Sequence, residues 1–286
     1  MKQEDIRKLI YSRIDSLPAL PGVIPRLLSQ LEDSNSGADD IARTISSDPS
    51  LTANILRVAN SAYYGFSGQI ASLEHAIALL GFNMIKSLAL STGVIKIFRA
   101  DHAGFSEHEL WVHSLTVATS MNEISRRFDK SVSGEEHIFI IGLLHDIGKI
   151  LFAQFIGDRY QEVLERYYKG DENLHDIERQ LLGIDHGEAG GLLLKRWLFP
   201  DVIYLPVHYH HQKEVPPEVD PLMLSLLSLS DKIAISLGNG DKRPSPDECK
   251  TEIETLSIDT EIIETTANML KESEERINAF CHSLIV

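Results

Sequence analysis

Apolar residues recur every three to four positions along almost the whole chain, and this helical period limits the possible folds more than any other feature. In SDPSLTANILRVANSAYYG, Leu51, Ile55, Val58 and Ala59 share one face, with Asp48 placed to cap a helix and Pro49 in its first turn. A second helix is expected from Ser72 through LEHAIALLG to Gly81. NMIKSLALSTGVIKIF then resumes the period with Ile85, Leu88, Leu90, Val94 and Ile97. Polar residues do not alternate with apolar ones here, which excludes a β-rich reading. The expected fold class is therefore all-α, with an N-terminal helical bundle over residues 1–103 and a C-terminal bundle over 104–286.

Polar punctuation, DHAGFSEHE, marks that boundary near Asp101. A helix from about Ser106 to Phe128 would bring Glu109, His113, Val117 and Ile124 near one face. The next segment, SGEEHIFIIGLLHDIGKILFAQF, is apolar on nearly every side and reads as one helix buried in the second bundle. In DHGEAGGLLLKRW, Asp185 followed by Glu188 three residues on forms a capping pattern that starts a helix at His186. Pro200 and Asp201 open another, and PLMLSLLSLSDKIAISLG forms a long apolar helix ending at Gly238. GNGDKRPSPDE reads as a loop, and Ile262, Ile263, Met269, Ile277 and Phe280 suggest two short closing helices.

Charge and cysteine content narrow the function classes. With 27 Lys and Arg against 42 Asp and Glu, the formal charge is −15, which argues against a polyanion-binding surface and hence against nucleic acid as a partner. Two cysteines, Cys249 and Cys281, make neither a disulfide framework nor a cysteine-based zinc knot. MKQEDIRKLIYSRIDSL lacks the apolar core of a signal peptide, and no later run is apolar without interruption for the length of a membrane span. The expectation is a cytoplasmic protein with no membrane contact.

The chemistry concentrates in histidines and carboxylates spread over five expected helices. His145 and Asp146 are adjacent, so on a helix they would point about 100° apart and reach a common metal only if it sat between their directions. A carboxylate can bridge two cations whereas an imidazole serves one, which suits a mononuclear or dinuclear centre. Glu109 and His113 share a face, His186 opens a helix, and His210 and His211 follow a short one. An ionised Asp231 among Leu224, Leu226, Leu227, Leu229, Ile233 and Ile235 would be costly without a metal or a histidine beside it.

Together HSLTVATSM, GLLHDIGKILF, DHGEAGGLLLKRW, VHYHHQ and SLSDKIA resemble the HD superfamily of metal-dependent phosphohydrolases, and within it the HDOD branch of bacterial signalling output domains. LPALPGVIPRLL, ISSDPSLTANILRVANSAYYG and SLEHAIALLGFNMIKSLAL are similar to the helical N-terminal part of HDOD proteins, so the likeness runs over roughly residues 8 to 240. The resemblance implies a metal ligand set in the order of the catalytic HD-GYP relatives: His113, His145, Asp146, His186, His210, His211 and Asp231, with Glu109 matching an extra ligand. It implies a divalent metal, as a dinuclear iron or manganese centre, with Asp146 as the bridging ligand. Lys149, one turn beyond, would supply positive charge to a phosphoryl group. QKEVPPEVDP after His211 contains no GYP segment, which argues against cyclic di-GMP hydrolysis.

Plainer readings stand beside these. The histidines and acids can be a vestigial site in which they bond one another. Glu109 can be a solvated helix-face acid, and Lys149 can serve the helix dipole. His208 is a further candidate, while His75, His102, His108, His137, His175 and His282 carry no pattern. Tyr63, Tyr64 and Phe66 fit core packing at a helix end better than a recognition surface. No glycine-rich phosphate loop or serine or cysteine nucleophile arrangement is visible. The expected function is an HDOD signalling or regulatory output protein acting through contacts with a signalling protein, with a retained metal site. The alternative is a metal-dependent phosphohydrolase acting on a nucleotide or other phosphate ester; in a third reading the pocket binds such a ligand without cleaving it.

Overall fold

The computed structural model of the chain describes residues 3–20, 22–33, 36–61, 63–66, 68–95, 97, 104–127, 137–170, 172–238 and 244–285. Among these residues there are sixteen α-helices and no β-strand, so the fold is all-α. The first six are α1 (Gln3–Ser16), α2 (Ile24–Glu32), α3 (Ala38–Ser46), α4 (Pro49–Ala59), α5 (Leu73–Leu80) and α6 (Phe82–Ile95). Local chemistry sets their ends. Asp48 accepts hydrogen bonds from the N–H groups of Ser50 and Leu51 to cap α4, and Ser72 accepts from that of His75 to cap α5. Gly81, at φ +83°, lets the chain turn by 118° between α5 and α6. The expected face residues Leu51, Ile55, Val58, Ile85, Leu88, Leu90 and Val94 are buried.

The remaining helices are α7 (Glu107–Ser125), α8 (Ile138–Leu144), α9 (Ile147–Lys169), α10 (Leu174–Leu182), α11 (His186–Arg196), α12 (Asp201–Tyr209), α13 (Pro221–Gly238), α14 (Lys250–Leu256), α15 (Glu261–Glu272) and α16 (Glu274–Ile285). The tail therefore holds three helices rather than two: α15 and α16 carry the expected apolar residues, and α14 precedes them. Residues 98–103, which include His102 and the expected boundary, lie outside the described residues, as do Phe128 and residues 131–136 and 239–243.

Packing centres on α7, which lies against α8, α13, α15 and α16, while α9 lies against α10 and α11. Helices from the two ends of the sequence interleave: α1 packs on α9, α10 and α11, and α16 packs on α4, α6 and α7. The Trp197 indole donates to the carbonyl of Pro18, and Gln3 Nε2 donates to the carbonyl of Gln180 at 2.9 Å. By length and composition alone, the run Ile138–Lys169 and helix α13 are apolar enough to cross a membrane, contrary to the expectation from sequence. In the first run 83% of the apolar window is buried inside the protein, so its hydrophobicity serves the core.

Candidate metal centre

The segment expected to be one helix is two. Helix α8 ends at Leu144 and α9 begins at Ile147, with His145 (φ −56°, ψ −36°) and Asp146 (φ −96°, ψ 9°) forming the joint. The Lys149 N–H bonds to the carbonyl of Asp146, tightening the start of α9. The break matters because neighbours on a regular helix diverge, whereas here His145 Nε2 lies 3.3 Å from Asp146 Oδ2. Glycine makes room at this joint. A Cβ on Gly148 would lie 1.9 Å from the carbonyl oxygen of His186, so α9 and the start of α11 meet backbone to backbone.

Around the joint the other elements bring their side chains to within bonding distance. His113, from the middle of α7, places Nε2 3.0 Å from Asp231 Oδ1 and 3.5 Å from Asp146 Oδ2. His145 Nε2 is 3.7 Å from the same Asp231 oxygen. On the other side of Asp146, His186 Nε2 lies 3.1 Å from Oδ1, and His211 Nε2 lies 2.9 Å from His186 Nε2. The donor atoms fall into three overlapping groups, His113–His145–Asp231, His145–Asp146–His210 and His186–His210–His211, each within 4.8 Å. Asp146 thus stands between a histidine–aspartate cluster and a three-histidine cluster.

The ring nitrogens are committed in a way that suits metal binding. His145 and His210 direct Nδ1 at the backbone carbonyls of Gly142 (2.8 Å) and Val207 (2.6 Å), so each can donate there and keep the Nε2 lone pair. The His210 Nε2 is buried with no hydrogen-bond partner, an unfavourable state for a polar atom in a core, and the buried His145 Nε2 meets only the carboxylate oxygens of Asp146 and Asp231. His211 and His186 face each other through two Nε2 atoms, of which at most one can donate to the other. A divalent cation bound by nitrogen and carboxylate oxygen satisfies all of these atoms, so the residues present fit such a group.

Without a cation the protons redistribute. Burial would depress the imidazolium of His145, but Asp146 and Asp231 outweigh it and raise its pKa to about 10. Burial is likewise outweighed at His186, where Glu178 and Asp146 raise the pKa to about 9. At His210 burial prevails and, with the charges on His186 and His145, drives the pKa down to about 3. Burial opposes ionisation of Asp146, but His145, Lys149 and His186 hold it well below the usual carboxylate range. Asp231 is held there too, against burial, by His113 and His145.

Seven of the residues singled out in the sequence, His113, His145, Asp146, His186, His210, His211 and Asp231, are brought together here. Lys149 joins them, its Nζ 2.5 Å from Asp146 Oδ2. Glu109 does not: it is exposed in the first turn of α7, in none of the donor groups. One helical turn before His113, it lies beyond the buried stretch of α7. His208 packs against Gly191, also outside the groups. The setting of Asp231 differs in part from expectation. Leu226, Leu227, Leu229 and Ile233 are buried, but Leu224 is half-buried and Ile235 is exposed, which leaves Asp231 13% exposed at the edge of the core.

Sequence reasoning missed a supporting layer. Glu178 on α10 is fully buried and accepts from His186 Nδ1 (2.6 Å), the His186 N–H (2.9 Å) and the Tyr160 hydroxyl (3.3 Å). His175 stacks on the ring of His211 at 4.2 Å. Arg179 donates to the His211 carbonyl and to Asp185, the N-cap of α11. One signal was available: Leu174, Ile177, Leu181 and Leu182 define the apolar stripe of α10, and Glu178 falls within it.

The family model for the HDOD domain matches residues 17–213. An uncharacterized protein of Treponema pallidum (strain Nichols) is 23% identical over 216 residues, covering 75% of this chain; the chain spans 41% of that protein's length. An HDOD domain protein of unknown function from Geobacter sulfurreducens superposes with a TM-score of 0.76 at 23% identity, covering 99% of both chains. A Marinobacter aquaeolei VT8 protein provisionally assigned to signal transduction gives 0.82 at 21% identity, over 99% of this chain and 66% of that one. A Shewanella amazonensis SB2B protein provisionally assigned to the phosphohydrolases gives 0.75 at 22% identity, over 96% and 98%. At these identities the solved structures establish a shared fold.

Proposed function

This chain belongs to the HDOD family, and on that premise we propose that it is a signalling output module whose HD pocket holds divalent metal. The observation that carries the proposal is the buried, unpartnered Nε2 of His210 inside a ring of histidines and carboxylates centred on Asp146, in which His145 Nε2 faces the oxygens of Asp146 and Asp231. A vestigial site would be expected to have closed its hydrogen bonds internally, because each unmet buried polar group costs roughly 1–3 kcal/mol. His113, His145, Asp231 and one oxygen of Asp146 form one candidate ligand set, and His186, His210, His211 and its other oxygen form a second. This supports a dinuclear centre, with iron or manganese as the metals we would test first. Output through contact with a signalling protein in the cytoplasm is the companion proposal, in keeping with the assignment carried by the Marinobacter protein.

A second reading, a metal-dependent phosphohydrolase acting on a nucleotide or other phosphate ester, is favoured by one feature. His113, Lys149 and Asp231 are 21%, 20% and 13% exposed, so a phosphate could approach the centre from solvent. Bound divalent metal would supply Lewis-acid stabilisation of phosphate charge and acidify water. Lys149, held by Asp146, would contribute a fixed positive charge at the entrance.

Metal analysis of the chain purified without chelator, before and after incubation with manganese or ferrous iron, tests the centre. We expect bound metal in the wild type and its loss in Asp146→Ala; a metal-free wild type under both conditions would overturn the proposal. A panel of nucleotides and phosphodiesters on the metal-loaded protein then separates the readings: turnover lost in Asp146→Ala supports the hydrolase. Intact substrates together with a partner recovered in binding experiments support the signalling module.

A further inference from the structure

Of the three imidazoles facing the centre whose other ring nitrogen has a defined partner, His145 and His210 rest on backbone carbonyls, and His186 rests on a carboxylate. His175 and His211 stack instead. The carboxylate of Glu178 is enclosed: one oxygen takes both the ring N–H and the backbone N–H of His186, and the other takes the Tyr160 hydroxyl. One oxygen is therefore used in holding His186, and the other is occupied by Tyr160. A buried acid with this bond pattern fixes a histidine in two ways at once, since the backbone bond anchors the first residue of α11 while the ring bond sets the plane and tautomer of its imidazole. The outcome is visible at the far side of the ring, where Nε2 meets Asp146 Oδ1 and His211 Nε2.

We infer that Glu178 is a positioning residue for the metal centre, holding His186 with its proton on Nδ1 and its Nε2 aimed between Asp146 and His211. The inference rests on the metal reading above. A carboxylate also makes its histidine a stronger donor to metal than a carbonyl does, so the three-histidine half of the centre should be the half that depends on Glu178. Tyr160 acts behind it, filling the second carboxylate oxygen so that Glu178 keeps one orientation.

The test titrates Co²⁺ into chelator-stripped full-length wild type, Glu178→Gln and Glu178→Ala, following affinity by calorimetry and ligand field by visible absorption. Glutamine can still accept from Nδ1 without the charge, whereas alanine offers nothing. We expect affinity to fall about tenfold in Glu178→Gln and towards a hundredfold in Glu178→Ala, with a changed cobalt spectrum in both. A purely structural role would lower the melting temperature and leave the spectrum of the folded, loaded protein unchanged. Wild type that takes up no cobalt overturns the metal reading itself. Wild type that binds, with Glu178→Gln binding equally and showing the same spectrum, overturns the role of Glu178 alone. If Glu178→Gln does not fold, the imidazole ¹⁵N spectrum of the Zn²⁺-loaded wild type decides: His186 protonated at Nδ1 supports the assignment, and His186 bound to metal through Nδ1 overturns it.

Discussion

Replacing Gly148 by alanine tests the helix crossing that brings the two halves of the centre together. A Cβ at this position would lie 1.9 Å from the carbonyl oxygen of His186, 2.7 Å from its carbon and 2.9 Å from the Gly190 nitrogen. Ordinary contact begins near 3.4 Å, so α9 and the start of α11 must separate by about 1.5 Å, and the obstacle is backbone rather than a side chain that can turn away. Overpacking a core typically costs about 1–3 kcal/mol, and a backbone clash belongs at the upper end. At about 2.1 cal/mol/K per residue, 286 residues give an unfolding entropy near 0.6 kcal/mol/K, so about 3 kcal/mol lowers the melting temperature by about 5 °C. Because the displaced atom belongs to His186, metal affinity should fall along with stability. Two other glycines calibrate the result. A Cβ at Gly190 meets the Ile147 side chain at 3.0 Å, the Gly148 nitrogen at 3.2 Å and the Val207 side chain at 3.5 Å, a milder crowding that should cost less; one at Gly238 meets nothing within 4 Å and should be neutral or slightly stabilising. Calorimetric melts of the three variants, stripped and metal-loaded, are the assay. Gly148→Ala melting within a degree of Gly238→Ala, with metal affinity unchanged, would refute the backbone-contact reasoning.

Two further predictions are independent of that crossing. In chelator, the raised pKa values of His145 (about 10) and His186 (about 9) contribute stability that is complete below about pH 6.5 and lost as pH rises through 9 to 10. The depressed pKa of His210 (about 3) contributes stability that is complete above about pH 6.5 and lost as pH falls towards 3. The stripped protein should therefore melt highest near neutrality, and a melting temperature that stays flat or rises between pH 7 and pH 9.5 would count against the proposed charge states. Leu198 holds φ +63° just past the end of α11 and is 81% exposed, with its N–H on the carbonyl of Lys195 and the Phe199 N–H on that of Leu194. Leu198→Gly should relieve the left-handed backbone and stabilise by about 0.5–1 kcal/mol in chemical denaturation; no gain would mean that the turn is unstrained.

The fold was legible where one residue's chemistry decides a local outcome. Asp48, Ser72 and Asp185 cap the helices they precede because a short polar side chain reaches orphan N–H groups whatever surrounds it. The division of this segment between α8 and α9 was not legible, because apolar residues on all sides of α8 and of the first turns of α9 erase the periodicity from which a break could be read. That break determines the site. As one straight helix, the segment would have pointed His145 and Asp146 apart, and the ligand order alone could not say how they converge.

Burial of charge offers a rule that separates the residues that converged from the one that did not. Asp146, Glu178 and Asp231 are acids set among buried apolar neighbours, where ionisation is costly without a partner, and each is found bonded to histidine. Glu109 stands in the polar first turn of its helix, where a carboxylate is favoured by the dipole and needs no partner, and it remains in solvent. Ligand spacing in the sequence ranked Glu109 with the site and passed over Glu178; the energetics of placing each charge reverses the order. An acid on the apolar stripe of a helix, as in LHDIERQLL, is thus the stronger pointer to a buried centre, and the Glu178 titrations measure whether it holds here.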